Sequence, residues 1–330
     1  EMVEKLKNNR SKSLIVCDSS DVEVQLIVNN INSILKNYDE TISLRTPSYI
    51  KQGNNQKVQD LIKDMQNGDV GALITYKVNP SYNLADSKAF NNALKQVSLT
   101  ISTSMYNDET ASLMEYVCPE NHNLESWGDL HPSYNTYSLM QPTIAPLFDT
   151  RQFEETLLRW MGGKEDYHAY LSNFWRSKGI SWEQAVHDGF FNFEDTKPIL
   201  TNISPLEISA LSVDNNIDGL ELAIYEKIGI GDGTQANNPW LQEFPDPISR
   251  ACWDNYMTIS ASTARDFNLK NWNVSNGALN GSMVNLKAGD IVLKNVPVMI
   301  QPGQAKNTVG LALGYGRKNA GKAANNVGVN

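Results

Sequence analysis

The chain has 330 residues, 41% of them apolar and 20% charged, the composition of an ordinary globular protein long enough for two cores. Its 28 Lys and Arg stand against 37 Asp and Glu, a net charge of −9, so it lacks the basic balance that phosphate backbones attract, and nucleic acid is not an expected partner. No apolar run reaches the roughly 18–20 residues that span a bilayer, so no direct membrane insertion is expected. The first residues hold neither an initiator Met nor an apolar signal core, which reads as a segment of a longer protein. Cys17, Cys118 and Cys252 stand far apart, without the close grouping of zinc or iron–sulfur ligands, and are expected to be small buried hydrophobes.

Residues 13–17 read as a short strand running into Asp18, after which Val22, Leu26, Ile27, Ile31, Ile34 and Leu35 recur at helical spacing. A second short strand is expected at 42–44. Val58, Leu61, Ile62 and Met65 mark a helix that Asn67-Gly68 stops. A strand at 71–76, a helix at 86–96 and a strand at 99–102 follow. Strands alternating with helices predict a parallel sheet covered on both faces, with ligands at the carboxyl ends of its strands, which singles out the loops 18–21, 78–82 and 103–110. Helices are expected at 151–161 and through the aromatic-rich 167–191, where Tyr170, Phe174 and Trp182 should share a buried face. A linker is expected at 195–204. Beyond it, short strands at 220–225, 256–260, 283–286, 290–293, 296–300 and 309–313, separated by turns such as Asn276-Gly277 and Pro302-Gly303, predict a barrel or sandwich.

Three groups of segments are more specific than these periodicities. The first joins Val78-Asn-Pro-Ser-Tyr-Asn83, Asp108-Glu-Thr-Ala111, Tyr116-Val-Cys-Pro-Glu120, Leu124-Glu-Ser-Trp-Gly-Asp129 and Gln141-Pro-Thr-Ile144. The second is the run 237–247, Asn-Asn-Pro-Trp-Leu-Gln-Glu-Phe-Pro-Asp-Pro, with Trp253-Asp-Asn-Tyr256. The third joins the run 296–303, Leu313-Gly-Tyr-Gly-Arg317 and Gly328-Val-Asn330. In this order they resemble the later portion of molybdopterin oxidoreductases of the dimethyl-sulfoxide-reductase type, most of all the large iron–sulfur subunit of the bacterial alternative complex III. Met114-Glu115-Tyr116 and Cys118 depart mildly from the Ala-Asp and Leu frequent in that family.

The resemblance implies an α/β fold: a parallel-sheet Rossmann-like domain over 1–165, as in formate dehydrogenase and dimethyl-sulfoxide reductase, a helical connection over 166–205, and a double-psi β-barrel of the molybdopterin-dinucleotide-binding type over 206–330, truncated at its end. It implies a fragment of a subunit of a quinol-oxidising respiratory complex, on the periplasmic side of the inner membrane and attached through partner subunits. The fragment itself is expected to hold no cofactor, to catalyse nothing and to act as a scaffold. The alternative is the part of an active oxidoreductase that binds molybdopterin guanine dinucleotide. Iron–sulfur clusters would lie only elsewhere in the parent protein.

The residues at family-type positions are Asn79, Asp108, Glu109, Thr110, Asn237, Asn238, Trp240, Gln242, Arg317 and Asn330. Asp108-Glu109-Thr110 could meet a nucleotide, but the simpler reading is that Asp108 caps the following helix. Asn79-Pro80 needs only a turn. The carboxamides of Asn237, Asn238 and Gln242 could read a pterin or nucleobase edge, though a structural loop is favoured, with Trp240 buried as its anchor. Arg317 could grip a pyrophosphate bidentately, yet a carboxylate of this acidic chain is the favoured partner. Gly229-Ile-Gly-Asp-Gly233 is a weak phosphate loop, lacking the Lys-Ser/Thr of a P-loop. His122, His131, Glu125 and Asp129 are weak candidates for an incidental metal site, and Glu125 with Asp129 for hydrolytic chemistry.

Overall fold

The computed structural model describes residues 1–19, 21–193 and 219–330, and the linker expected at 195–204 lies outside them. Among the described residues the chain divides into two compact units, each assembled from two stretches: 1–54 with 121–193, and 55–120 with 219–330. The sequence reading runs its domains in series; the contacts interleave them, because the stretch 55–120 shares its tertiary contacts with the C-terminal third.

In the second of these units, the strands Ala72–Thr75, Leu99–Ser102 and Tyr116–Val117 form a wholly parallel sheet in sequence order. The helix Asn55–Asn67 precedes them and Ser87–Leu94 crosses over between the first two. Asp86 caps the crossover helix, its side chain accepting from Ala89 N, and Gly68 ends the earlier helix at φ +80°. Of the apolar residues read over the helix Asn55–Asn67, Ile62 and Met65 join Phe90, Ala93, Leu94, Val97 and Met114 in a core, whereas Val58 and Leu61 stay exposed. The remainder of this unit holds a five-stranded mixed sheet in the order Met283–Ala288, Ile291–Ile300, Met257–Ile259, Thr308–Ala312, Glu221–Tyr225. Parallel pairings flank an antiparallel one there: Ile291–Ile300 with Met257–Ile259, and Thr308–Ala312 with Glu221–Tyr225, are parallel. The two strands expected at 290–293 and 296–300 are one continuous strand, kinked where Asn295 adopts φ 58° and its N–H bonds to Asn285 Oδ1 opposite. Met257, Ile259, Val296, Val298, Val309 and Leu311 form the core beneath the sheet.

The other unit carries an antiparallel sheet of Gly128–Ser133, Thr136–Met140 and Phe190–Asn192 with the helices Phe153–Trp160, Tyr167–Ser177 and Trp182–Asp188. The expected aromatic face is rotated by one residue. Leu171, Trp175 and Trp182 are buried, whereas Tyr170 and Phe174 remain 43% and 37% exposed. Trp175 wins the inner position because its indole N–H donates to Asp129 at 2.9 Å while its rings fill the core.

Two further expectations give way. All three cysteines are exposed: Cys17 lies in an unpaired segment, Cys118 follows a two-residue edge strand and Cys252 lies in a loop. Nor is 13–17 a strand, and 42–44 contributes only a single bridge between Tyr38 and Ile42. The backbone of Ile15 pairs with a side chain instead. Its N–H donates to Asn32 Oδ1 at 3.1 Å and its carbonyl accepts from Asn32 Nδ2 at 2.8 Å. Asn32, buried at the end of the Asp21-capped helix Val22–Ile34, also accepts from Asn37 Nδ2 at 2.9 Å. Replacing Asn32 by Leu orphans all three groups, so N32L is expected to lose about 1–3 kcal/mol in urea denaturation, the cost of stranding buried polar partners.

Candidate functional site

The loops that leave the carboxyl ends of the parallel strands converge, as the sheet architecture predicts. After Ala72–Thr75 the chain reaches Asn79 and the short helix Pro80–Asn83, whose first position takes Pro80 because that N–H needs no partner. The Asn79 side chain turns to the neighbouring loop. Its Oδ1 accepts from Thr110 N at 3.1 Å and Thr110 Oγ1 at 2.7 Å, and its Nδ2 donates to Glu109 Oε2 at 2.8 Å. Thr110 Oγ1 in turn accepts from Ser81 N at 3.0 Å. Asp108 Oδ1 accepts from Thr110 N and Ala111 N at 3.0 and 2.8 Å, in the turn that leads into the 3₁₀ helix Ala111–Leu113, whose N-cap is Thr110.

Glu109 meets Arg317 from 208 positions away. Arg317 Nε lies 3.0 and 3.1 Å from the two carboxylate oxygens and Nη2 lies 2.8 Å from Oε2. Its Nη1 donates to the Gly233 carbonyl at 2.6 Å, and the Tyr82 ring lies 4.6 Å from the guanidinium. The backbone N–H groups of Lys318 and Asn319 donate to Glu109 Oε1 at 2.8 and 3.1 Å. Both side chains are almost buried, at 7% and 12% exposure. Gly233 stands at φ +85° with space for no Cβ, which would come within 2.8 Å of the Gly314 carbonyl. Burial pushes the Glu109 carboxyl toward neutrality, but the bonds from Arg317, the Asn319 and Lys318 amides and Asn79 outweigh it and bring its pKa down to about 2. Burial raises the Tyr82 phenol to about 12, and its O–H donates to the Tyr315 carbonyl at 2.7 Å.

Beside this pair opens a cleft of about 380 Å³ lined by Tyr106, Asn107, Asn237, Asn319, Ala320, Gly321 and Asn325. Among the described residues no charged side chain lines it. Asn325 Oδ1 accepts from Ala320 N and Gly321 N at 2.8 and 3.0 Å, and Asn237 Oδ1 accepts from Ala323 N at 3.1 Å. Carboxamides and a phenol suit an uncharged polar ligand rather than a phosphate.

The structure therefore gathers Asn79, Asp108, Glu109, Thr110 and Arg317 into one network, with Asn237 on the neighbouring cleft. It keeps the others apart. Asn238 caps the helix Pro239–Glu243 by accepting from Trp240 N, and Gln242, 2% exposed, donates to the Ala236 carbonyl at 2.9 Å. Trp240, expected as the buried anchor, is 81% exposed; the cap and Gln242 hold the loop, so the indole is left over water. Asn330 packs its backbone against Gly316, away from the cleft lining. Gly229–Gly233 offers its last carbonyl to Arg317 rather than amides to a phosphate. Glu125 accepts from His122 N in a capping box, Asp129 is held by Trp175, and no metal-holding group occurs among the described residues. Sequence reasoning missed Asn107, Asn319 and Asn325. The Asn- and Gly-rich run after Arg317 was the available signal.

No family model matches the chain. In sequence it is 26% identical over 265 residues to the menaquinone reductase, molybdopterin-binding-like subunit of Nitratidesulfovibrio vulgaris, a match covering 74% of this chain and 36% of that protein. In structure it is similar to acetylene hydratase from Pelobacter acetylenicus, with a TM-score of 0.61 and 14% identity over 78% of this chain and 39% of that one. The chain thus spans less than two fifths of the length of either. The sequence match makes the chain similar to part of that molybdopterin-binding-like subunit, and the structural likeness shows a shared fold.

Glu109 ionises more readily in the folded chain than at its ordinary pKa of 4.5, so its contribution is complete above about pH 5 and is lost as pH falls toward 2. E109Q is expected to be less stable than the parent by about 3 kcal/mol at pH 7, and that gap should narrow steadily in urea melts taken from pH 5 to pH 3. W240A, by contrast, should shift stability by less than about 0.5 kcal/mol in the same assay, since the ring it removes is already solvated.

Proposed function

We propose that the chain is part of a molybdopterin-oxidoreductase-like subunit of a quinone-linked respiratory complex, and that this part is a scaffold without a cofactor. The kinship with a subunit of a menaquinone reductase supports the respiratory setting. The motif series favours a protein like the large iron–sulfur subunit of alternative complex III, docked to partner subunits on the periplasmic side of the membrane. The parallel three-stranded layer is our Rossmann-like element, and the five-stranded mixed sheet our portion of a double-psi β-barrel.

One observation carries the scaffold reading. The family's group, molybdopterin guanine dinucleotide, brings a pyrophosphate that needs cations and free N–H donors. Among the described residues no cation lines the cleft, and the Arg317 guanidinium is committed to Glu109 and Gly233. The Glu109 carboxylate would meet a phosphate with like charge. These residues do not fit the pyrophosphate.

A second reading, a dinucleotide-binding part of an active oxidoreductase, is favoured by the carboxamides of Asn107 and Asn237 on a cleft beside the carboxyl ends of the parallel strands. The full-length subunit purified from its own host separates the two. We expect far less than one molybdenum by plasma mass spectrometry, and far less than one oxidised pterin by fluorescence, per subunit. One of each, retained through size exclusion, would replace the first reading with the second.

A further inference from the structure

We propose that Ile228, Trp240, Phe244 and Ile248, set within a rim of carboxylates, form a docking surface for a partner subunit whose contact face is apolar with a rim bearing lysine.

A large aromatic ring held over water by a well-ordered loop needs a reason. Trp240 is 81% exposed, Ile228 80%, Ile248 71% and Phe244 53%. Trp240 lies on the helix Pro239–Glu243 and Phe244 is its C-cap, four positions on, so the two rings stand on the same side. Phe244 also lies against the 228–229 turn, since a Cβ on Gly229 would come within 3.2 Å of its ring. Ile228 is therefore its neighbour. Single apolar side chains scattered on a surface are ordinary, but several large ones gathered on one short segment mark a contact site. Tryptophan is also a residue type on which binding energy concentrates.

The backbone beneath these side chains is fixed. Gln242 donates to the Ala236 carbonyl at 2.9 Å, Trp253 N to the Gln242 carbonyl at 2.8 Å and Arg250 N to the Asp246 carbonyl at 2.9 Å. Arg250 and Trp253 both adopt φ 62°, where bulky side chains are uncommon, so the surrounding bonds impose a conformation that local preference does not select. A loop already ordered loses little freedom when a partner lands on it.

The charges specify that partner. From Glu226 to Asp254 five carboxylates stand against two cations, and one of the two, Lys227, is 7% exposed and lies over the rings of Tyr256 and Tyr315. Glu226 and Glu243 are exposed close to Ile228 and Phe244. In a two-fold contact this surface would meet its own carboxylates, which disfavours a second copy. A rim of lysines on a different chain matches it.

The surface deepens the scaffold reading, on which it rests, by naming where a partner subunit binds. The test uses the native complex and the isolated 330-residue chain, without substitutions. In hydroxyl-radical footprinting read by mass spectrometry, Trp240 should be oxidised at least about fivefold more slowly in the complex than in the isolated chain, because partners at such contacts exclude water. A zero-length carbodiimide, which joins a carboxylate to an amine in direct contact, should link Glu226 or Glu243 to a lysine of another subunit. Equal oxidation of Trp240 in the two samples overturns the proposal. So does protection in which the two glutamates link to no lysine, or only to lysines of the same subunit or of a second copy. Any of those outcomes leaves the cofactor-free reading standing, whereas molybdenum and pterin in the native subunit overturn that reading whatever the footprint shows.

Discussion

The ion pair of Glu109 and Arg317 ties together elements that no local rule connects. Glu109 hangs from the loop after the second parallel strand, Arg317 from the loop after the strand Thr308–Ala312 of the mixed sheet, 208 residues later. A buried pair of this kind adds little net stability against an apolar replacement, but breaking one half is severe. Its structural effect is therefore specificity. Asn79, Gly233 and the 318–319 turn each bond to one of its two members, and Thr110 joins them through Asn79. The glycine at 233 follows from the same demand, since the Gly314 backbone passes too close for a side chain.

Carboxamides do the rest of the long-range stitching. Asn32 pairs with Ile15 in both directions, a ladder rung made from one side chain. Asn271 does the same for the long strand, donating to the Val298 carbonyl and accepting from Ile300 N, both at 2.7 Å. Asn255, 1% exposed, donates to the Ala312 and Val329 carbonyls and accepts from Val329 N. Each carries a donor and an acceptor without charge, so it can be buried where an Asp or Lys would need a counter-ion. In a chain of net charge −9 this keeps the interior of the folded units largely free of unbalanced carboxylates.

The kinship and the site geometry address different questions. A fold shared with acetylene hydratase at 14% identity says how the chain is laid out and nothing about what the cleft holds. What the cleft can hold follows from its walls: amides, a phenol and no charge, beside a cation already neutralised. The scaffold reading grows from that local chemistry.

What the sequence determined by itself was whatever depends on neighbours a few positions away. The helix that buries Ile62 and Met65, the strand at Leu99–Ser102 and the glycine stop at Gly68 follow from spacing and from single-residue stereochemistry. The carboxyl-end loops of the parallel strands were legible for the same reason, and with them Asn79, Asp108, Glu109 and Thr110. Only the tertiary structure decided which partner each long-range group obtained. Nothing near Glu109 in sequence announces Arg317, although an unspecified carboxylate was the expected partner of that arginine. The segment 13–17 has the composition of a strand but met Asn32 before any strand, and Trp240 has the size of an anchor in a loop that Asn238 and Gln242 already held. Burial and pairing are properties of what arrives opposite a residue, and that is set by the path of the whole chain.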